Sequence, residues 1–180
     1  MRHLVNAALA PGVAGRLKTG AMLPPAPPPE PASGRFDGLV HLFPVRVYFE
    51  DTDLSGVVYH ANYLRWFERA RSDMLRLLGI DQRAAHEAGA GAYAVSELAI
   101  RYVAPARLDD VVTIRTTTLE VGAATCRIVQ AAWRGDKLLA ESKVRAAFVA
   151  PDGKPKRQPR EWIAAFRTVL DKPMEAPVTQ

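Results

Sequence analysis

The segment from Asn62 to Leu78 limits the fold more than any other stretch of this chain. On a 3.6-residue wheel Tyr63, Trp66, Phe67, Ala70, Met74, Leu77 and Leu78 fall on one side. Arg65, Glu68, Arg69, Ser72 and Arg76 fall opposite, and Leu64 and Leu75 widen the apolar arc towards half the circumference. A helix this apolar must lie against a broad surface, most simply a sheet. Asn62 reads as its cap and Gly79 as a C′ stop, and Asp81 is placed to cap a short helix running to about Glu87.

The remaining chain supplies that sheet. Phe43 to Phe49 alternates around Val45, Val47 and Phe49 and reads as a first strand. Downstream, Tyr93–Val103, Val111–Val121, Ala124–Trp133 and Leu138–Val149 carry β patterning, rich in Val, Ile and Thr in the second. The turns between them are marked by Ala104–Asp110, Gly122, Gly135-Asp136 and, after the last, Pro151-Asp152-Gly153. Trp162 to Leu170 reads as a terminal helix packing Trp162 and Phe166. Consecutive strands with hairpin-length connections make an antiparallel sheet, and one long helix ahead of it gives an α+β fold.

Residues 1–40 read as a Pro/Ala-rich disordered extension, residues 41–170 as the folded domain and 171–180 as a flexible tail. Pro24 to Pro31 favours extended polyproline conformation. Upstream of it, Arg2, Arg16 and Lys18 with few Ser make a poor transit peptide. Leu4–Ala10, broken by Asn6, makes a poorer signal peptide. An over-long gene start with the true Met at 22 also fits.

The net charge of +5 invites a nucleic-acid reading. Its location argues against one: residues 41–149 carry 14 basic and 13 acidic side chains, so the excess sits mostly in the tails. A nucleic-acid binder shows a clustered basic patch on its folded part. No apolar run approaches the ~20 residues of a membrane-spanning helix. A single Cys, Cys126, excludes an internal disulfide and any multi-Cys zinc site, fits a reducing, cytoplasmic setting, and reads as packing. No metal-ligand cluster or cofactor motif is present.

Between first strand and helix lies EDTDLSGVVYH, Glu50 to His60, an acidic turn leading into a helix N-terminus. From the residues alone, Asp53 could stabilise the turn through Asx-type hydrogen bonds or act chemically. Glu97 and Arg101 share one face of a strand and read as a solvated pair. Taken together, RVYFEDTDLSGVVYHANYLRWFERAR and IRYVAPARLDD resemble the hotdog-fold acyl-CoA thioesterases. The resemblance is to the branch of the 4-hydroxybenzoyl-CoA thioesterases and the Tol–Pal-associated bacterial thioesterases, the latter more closely. It spans about Phe43 to Phe166 and rests on D-x-D-x-x-G-V-V-Y-H-x-N-Y, a long motif of mixed chemistry.

The resemblance implies a long central helix wrapped by a curved antiparallel sheet, and homodimers or homotetramers with the site between helix start and neighbouring subunit. It implies an acyl-CoA substrate, no metal, Asp53 as the catalytic carboxylate and the backbone N–H of His60 as donor to the thioester carbonyl. Whether the His60 ring also acts stays open. Val58 and Tyr59 are the candidate substrate-binding residues beside it. Some relatives carry Tyr where this chain has Phe49. Asp53 would attack the carbonyl or act as general base, and burial together with the like charge of Asp51 would raise its pKa. Two other readings remain: a hotdog enoyl-CoA hydratase or dehydratase, and a non-catalytic acyl-CoA-binding subunit.

Overall fold

The structure is a computed structural model and describes residues 30–171. Two strands, Arg35–Asp37 (β1) and Val40–Arg46 (β2), precede a 3₁₀ turn at Phe49–Asp51. The long helix α1, His60–Leu77, and the short α2, Gln82–Glu87, follow. Four long strands come next: β3 Ala92–Tyr102, β4 Val111–Val121, β5 Thr125–Arg134 and β6 Lys137–Val149, then α3 at Arg160–Arg167. The strands form one antiparallel sheet in the order β1-β2-β4-β5-β6-β3. The expected α+β hotdog arrangement is therefore present, with α1 packed on β2 and β4.

At 1.5 Å per residue α1 is about 27 Å long, enough to cross the sheet. Trp66, Phe67 and Ala70 are fully buried and meet Val45 and Val47 near β2, Val112 and Ile114 of β4, and Leu139 and Ala140 of β6 in one core. Each large side chain removed from water in this way contributes about 1.5–3 kcal/mol. A second core, under Met74 and Leu75, takes Cys126, Phe148, Trp162 and Phe166. Cys126 packs there as expected, and burial pushes its thiol up to about 11. A polar tie crosses the first core. Fully buried Gln130 donates to the Phe67 carbonyl (2.9 Å) and the Thr116 hydroxyl (3.1 Å), and its amide oxygen accepts from Arg71 (2.6 Å).

Gly79 ends α1 with φ +71°, and Asp81 caps α2 by accepting the Ala84 N–H at 2.9 Å, both as expected. Other expectations give way. The first strand stops at Arg46. Val47 still pairs with the loop after β3, but the Asp51 carboxylate accepts the Tyr48 N–H (2.9 Å) and starts the 3₁₀ turn. Phe49, expected on the Val45–Val47 face, is 82% exposed as a result. Leu77 lies in solvent, and a buried Asp73 occupies the helix face instead. A bulge between Val95 and Glu97 and the β3–β6 register give Glu97 to Arg145 and Arg101 to Glu141, not to each other.

The fold also begins earlier than residue 41. The chain divides at Pro31–Ala32, and all described elements lie in the second unit. The cause is Asp73, whose carboxylate accepts from the Ser33 hydroxyl, the Gly34 N–H and the His41 ring Nε2, each at 2.8 Å. A Cβ at Gly34 would lie 2.3 Å from the Leu42 carbonyl oxygen, so this approach requires glycine. The disorder expected for residues 1–29, and the loose tail from 172, lie outside the described residues.

Burial depresses the pKa of His41 more than its bond to Asp73 raises it. For Asp73 burial acts upward, but the bonds from Gly34, His41 and Ser33 together outweigh it and hold the carboxyl below its usual value. Both folded groups resist protonation that the unfolded chain accepts. The His41 contribution to stability is present above its unfolded value of 6.5 and is lost as pH falls below it towards the lowered folded value, while that of Asp73 is kept down to its own unfolded value of 3.8 and lost below it. Urea unfolding between pH 8 and pH 4, taken as round limits on either side of about 6.5, should show a declining midpoint below that value. His41→Gln should flatten the first part of the decline; an unchanged slope would exclude His41 as its source.

Candidate active site

The acidic turn is closed by backbone pairing. Thr52 bridges Val58, the Asp53 N–H donates to the Val57 carbonyl (3.0 Å), and Gly56 sits at φ +72° where the chain reverses. The positive φ suits glycine, because a Cβ there crowds the backbone. The turn is then fastened to the loop after β3: the Val58 N–H donates to the Ala106 carbonyl (2.9 Å), and Ala106 N–H donates to the Tyr63 hydroxyl (3.0 Å). That loop is itself held by Asp110, which accepts from the Arg107 N–H (2.8 Å) and Arg134 (2.5 Å).

Helix α1 starts under the same constraint. Tyr59 is its cap residue and makes no side-chain cap bond, so Asn62 is not the cap the sequence suggested. Asn62 lies in the first turn, 6% exposed, and its amide donates to the Asp51 carbonyl at 2.9 Å. The Tyr59 N–H donates to that same carbonyl at 2.9 Å. The Asn62 N–H is taken by the Tyr59 carbonyl. Among the described residues the N–H groups of His60 and Ala61 have no acceptor. They are orphan donors of a helix N-terminus, where the aligned peptide dipoles favour a developing negative charge.

Asp53 is exposed, and only one of its carboxylate oxygens is engaged. Oδ1 accepts from the Ser55 hydroxyl (2.5 Å) and the Ser55 N–H (2.8 Å), while no hydrogen bond among the described residues reaches Oδ2. The Ser55 hydroxyl, then the Ser55 N–H, hold the carboxyl below its ordinary value, against a smaller opposing effect of burial. The expected rise is therefore not found within one chain: Asp53 is solvated and hydrogen-bonded, not shut into an apolar site. The turn-stabilising and chemical readings of Asp53 coexist, one on each oxygen.

A groove of about 280 Å³ opens beside the helix start, lined by Val58, His60, Tyr63, Tyr102 and Val103 to Pro105. Val58 is buried, and His60 lines the groove with its ring centroid 4.3 Å from that of Tyr59 and 6.3 Å from that of Tyr102. Tyr59 is half exposed and lies outside the lining, as do Asp53 and Phe49. The structure thus brings Val58 and His60 together and sets Asp53 on the adjoining turn. Sequence reasoning missed Ser55, Tyr63 and Tyr102. Ser two residues after an Asp is the one signal that was available; the tyrosines are brought in by tertiary packing. Among the described residues no group of three or more His, Cys, Asp or Glu is placed to hold a metal ion. No helix of the described residues is long and apolar enough to cross a membrane.

Residues 47–170 match the Thioesterase-like superfamily. The chain is 45% identical over 125 residues to the acyl-CoA thioesterase YbgC of Haemophilus influenzae, covering 69% of this chain and 92% of the relative. It is 42% identical over 130 residues to the acyl-CoA thioester hydrolase YbgC of Escherichia coli, covering 69% and 94%. Among solved structures, a probable thioesterase from Bartonella henselae superposes with a TM-score of 0.63 at 37% identity, covering 67% of this chain and 99% of that one.

Proposed function

The chain belongs to the Thioesterase-like superfamily, and from that premise we propose that it hydrolyses acyl-CoA thioesters to free acid and CoA. The observation that carries the reading is the pairing of a half-engaged carboxylate, Asp53, with unpaired helix-start N–H groups on one hydrogen-bonded frame.

A thioester carbonyl is weakly stabilised by its sulfur, so hydrolysis needs a nucleophile, a site for the developing oxyanion and a good leaving group. Oδ2 of Asp53 supplies the first, by attacking the carbonyl carbon to give a mixed anhydride or by taking a proton from attacking water. The thioester oxygen sits on the N–H of His60, a kind of donor worth typically ~10²–10³ in rate. CoA leaves as the thiolate; on the anhydride route a water then releases the acid and restores Asp53. Val58 and Tyr59 flank the acyl group. The bonds from Ser55 orient the carboxylate, while the low pKa they impose makes Asp53 a weak base within one chain. A second copy covering the turn supplies the missing exclusion of water. The enoyl-CoA hydratase and non-catalytic binding readings have no comparable support in the relatives.

We also propose that the protein is a cytoplasmic homo-oligomer. Among the described residues the outer strand β3, 11 residues long, pairs along one edge only, and it exposes Val95, Leu98 and Tyr102. An open, apolar strand edge is a template for another chain.

Asp53→Ala, folded by circular dichroism, should lose about 100-fold or more of free-thiol release across an acyl-CoA panel; turnover near wild type would remove Asp53 from the chemistry. In Ser55→Ala the loss of the hydroxyl bond raises the Asp53 pKa. The acid limb of kcat/KM, which marks loss of the carboxylate, should therefore move to higher pH; a limb that stays or moves down contradicts the role given to Asp53. For assembly, Leu98→Arg should reduce the mass measured by light scattering to that of a single chain. An unchanged mass would put the contact elsewhere.

A further inference from the structure

Tyr102 is the last residue of β3, and its hydroxyl donates to the carbonyl of His60 at 3.0 Å. Its ring meets Tyr63 edge-on at 5.6 Å and the His60 ring edge-on at 6.3 Å. The residue is 43% exposed, so water is at hand for its hydroxyl, yet the group is turned inward to a backbone oxygen. That oxygen does not require it. A carbonyl in the first turn of an α-helix is already served by the N–H four residues on, and it is the N–H groups, not the carbonyls, that lack partners at this end. The added donor therefore does something other than satisfy an orphan.

The carbonyl of His60 and the N–H of Ala61 are two ends of one peptide group. A donor on the oxygen draws charge through the amide and strengthens its N–H as a donor, an effect of about 10–30% per bond. It also ties the first turn of α1 to the sheet through an outer strand, where a helix end otherwise frays. We propose that Tyr102 is a positioning residue for thioester hydrolysis: its hydroxyl fixes the first turn of α1 and polarises the His60–Ala61 peptide. The N–H groups of His60 and Ala61 then form a preorganised pair for the thioester oxygen, with Ala61 as the second donor. This rests on the reading that the start of α1 receives that oxygen. Burial raises the Tyr102 pKa, which keeps the hydroxyl proton in place at neutral pH.

Tyr102→Phe keeps the ring and its packing and removes only the donor. Measured on the full chain, kcat should fall about five- to tenfold while KM stays within about twofold, with the thermal midpoint lowered by no more than about 5 °C and the oligomer mass unchanged. A donor pair used only in the transition state gives that pattern. The backbone amide proton of Ala61, followed by nitrogen-15 NMR in the absence of substrate, should shift upfield in the variant. An unchanged kcat overturns the proposal. So does a higher KM at constant kcat, which would put the hydroxyl on the substrate, or a kcat loss that only tracks a lower thermal midpoint. Were no acyl-CoA turned over by the wild type, the functional reading would fail on its own. The Ala61 resonance would still decide this contact, and a resonance that does not move between wild type and variant overturns it.

Discussion

The bond from the Asn62 amide to the Asp51 carbonyl is the one on which the site depends. It places the first turn of α1 on the backbone of the acidic turn, so the loop carrying Asp53 and the helix end cannot move apart. The Tyr59 N–H reaches the same oxygen, and Val58, Ala106 and Tyr63 close a second circuit through the loop after β3. Each member of this frame has its hydrogen bonds made by another member. Among the described residues, the N–H groups of His60 and Ala61 and Oδ2 of Asp53 are left without a hydrogen bond.

Two aspartates on either side of this frame show how environment divides one residue type into two uses. Asp73 is buried, accepts from three donors and holds the N-terminal strands to the helix. Asp53 is exposed and accepts from one residue, leaving an oxygen free. A search for the most buried perturbed carboxylate would choose Asp73. Its completed hydrogen bonds leave it nothing to give a substrate, so position relative to unmade bonds is a better guide here than burial.

Much of the fold was legible because its signals are local. Strand periodicity, the turn residues between β3, β4, β5 and β6, the Asp81 cap and the Gly79 stop each depend on a few neighbouring positions. What escaped depends on distant partners. Asn62 has cap chemistry, but its acceptor is a carbonyl 11 residues upstream, so it became a tie. Asp73 drew no reading from the sequence, because its partners Ser33, Gly34 and His41 lie 40, 39 and 32 residues upstream of it. The β1 strand went unread for the same reason. The pairs made by Glu97 and Arg101 follow the register of β3 on β6, which a bulge resets. The acidic turn was found by its motif, yet within one chain Asp53 is solvated and its pKa lowered, in contradiction to the rise expected from burial and the like charge of Asp51.

That contradiction bears on how assembly and chemistry are joined. Strand β3 presents its open edge along the same residues whose last member, Tyr102, reaches the helix start. A second chain pairing along this edge would restrain the strand that holds the His60 carbonyl and would bring its own surface near the groove beside Tyr63. Covering that groove lowers the local dielectric, which strengthens the pull of the helix-start N–H groups on an oxyanion. One contact would then supply two conditions the single chain lacks: a drier groove at the helix start and a stiffer first turn.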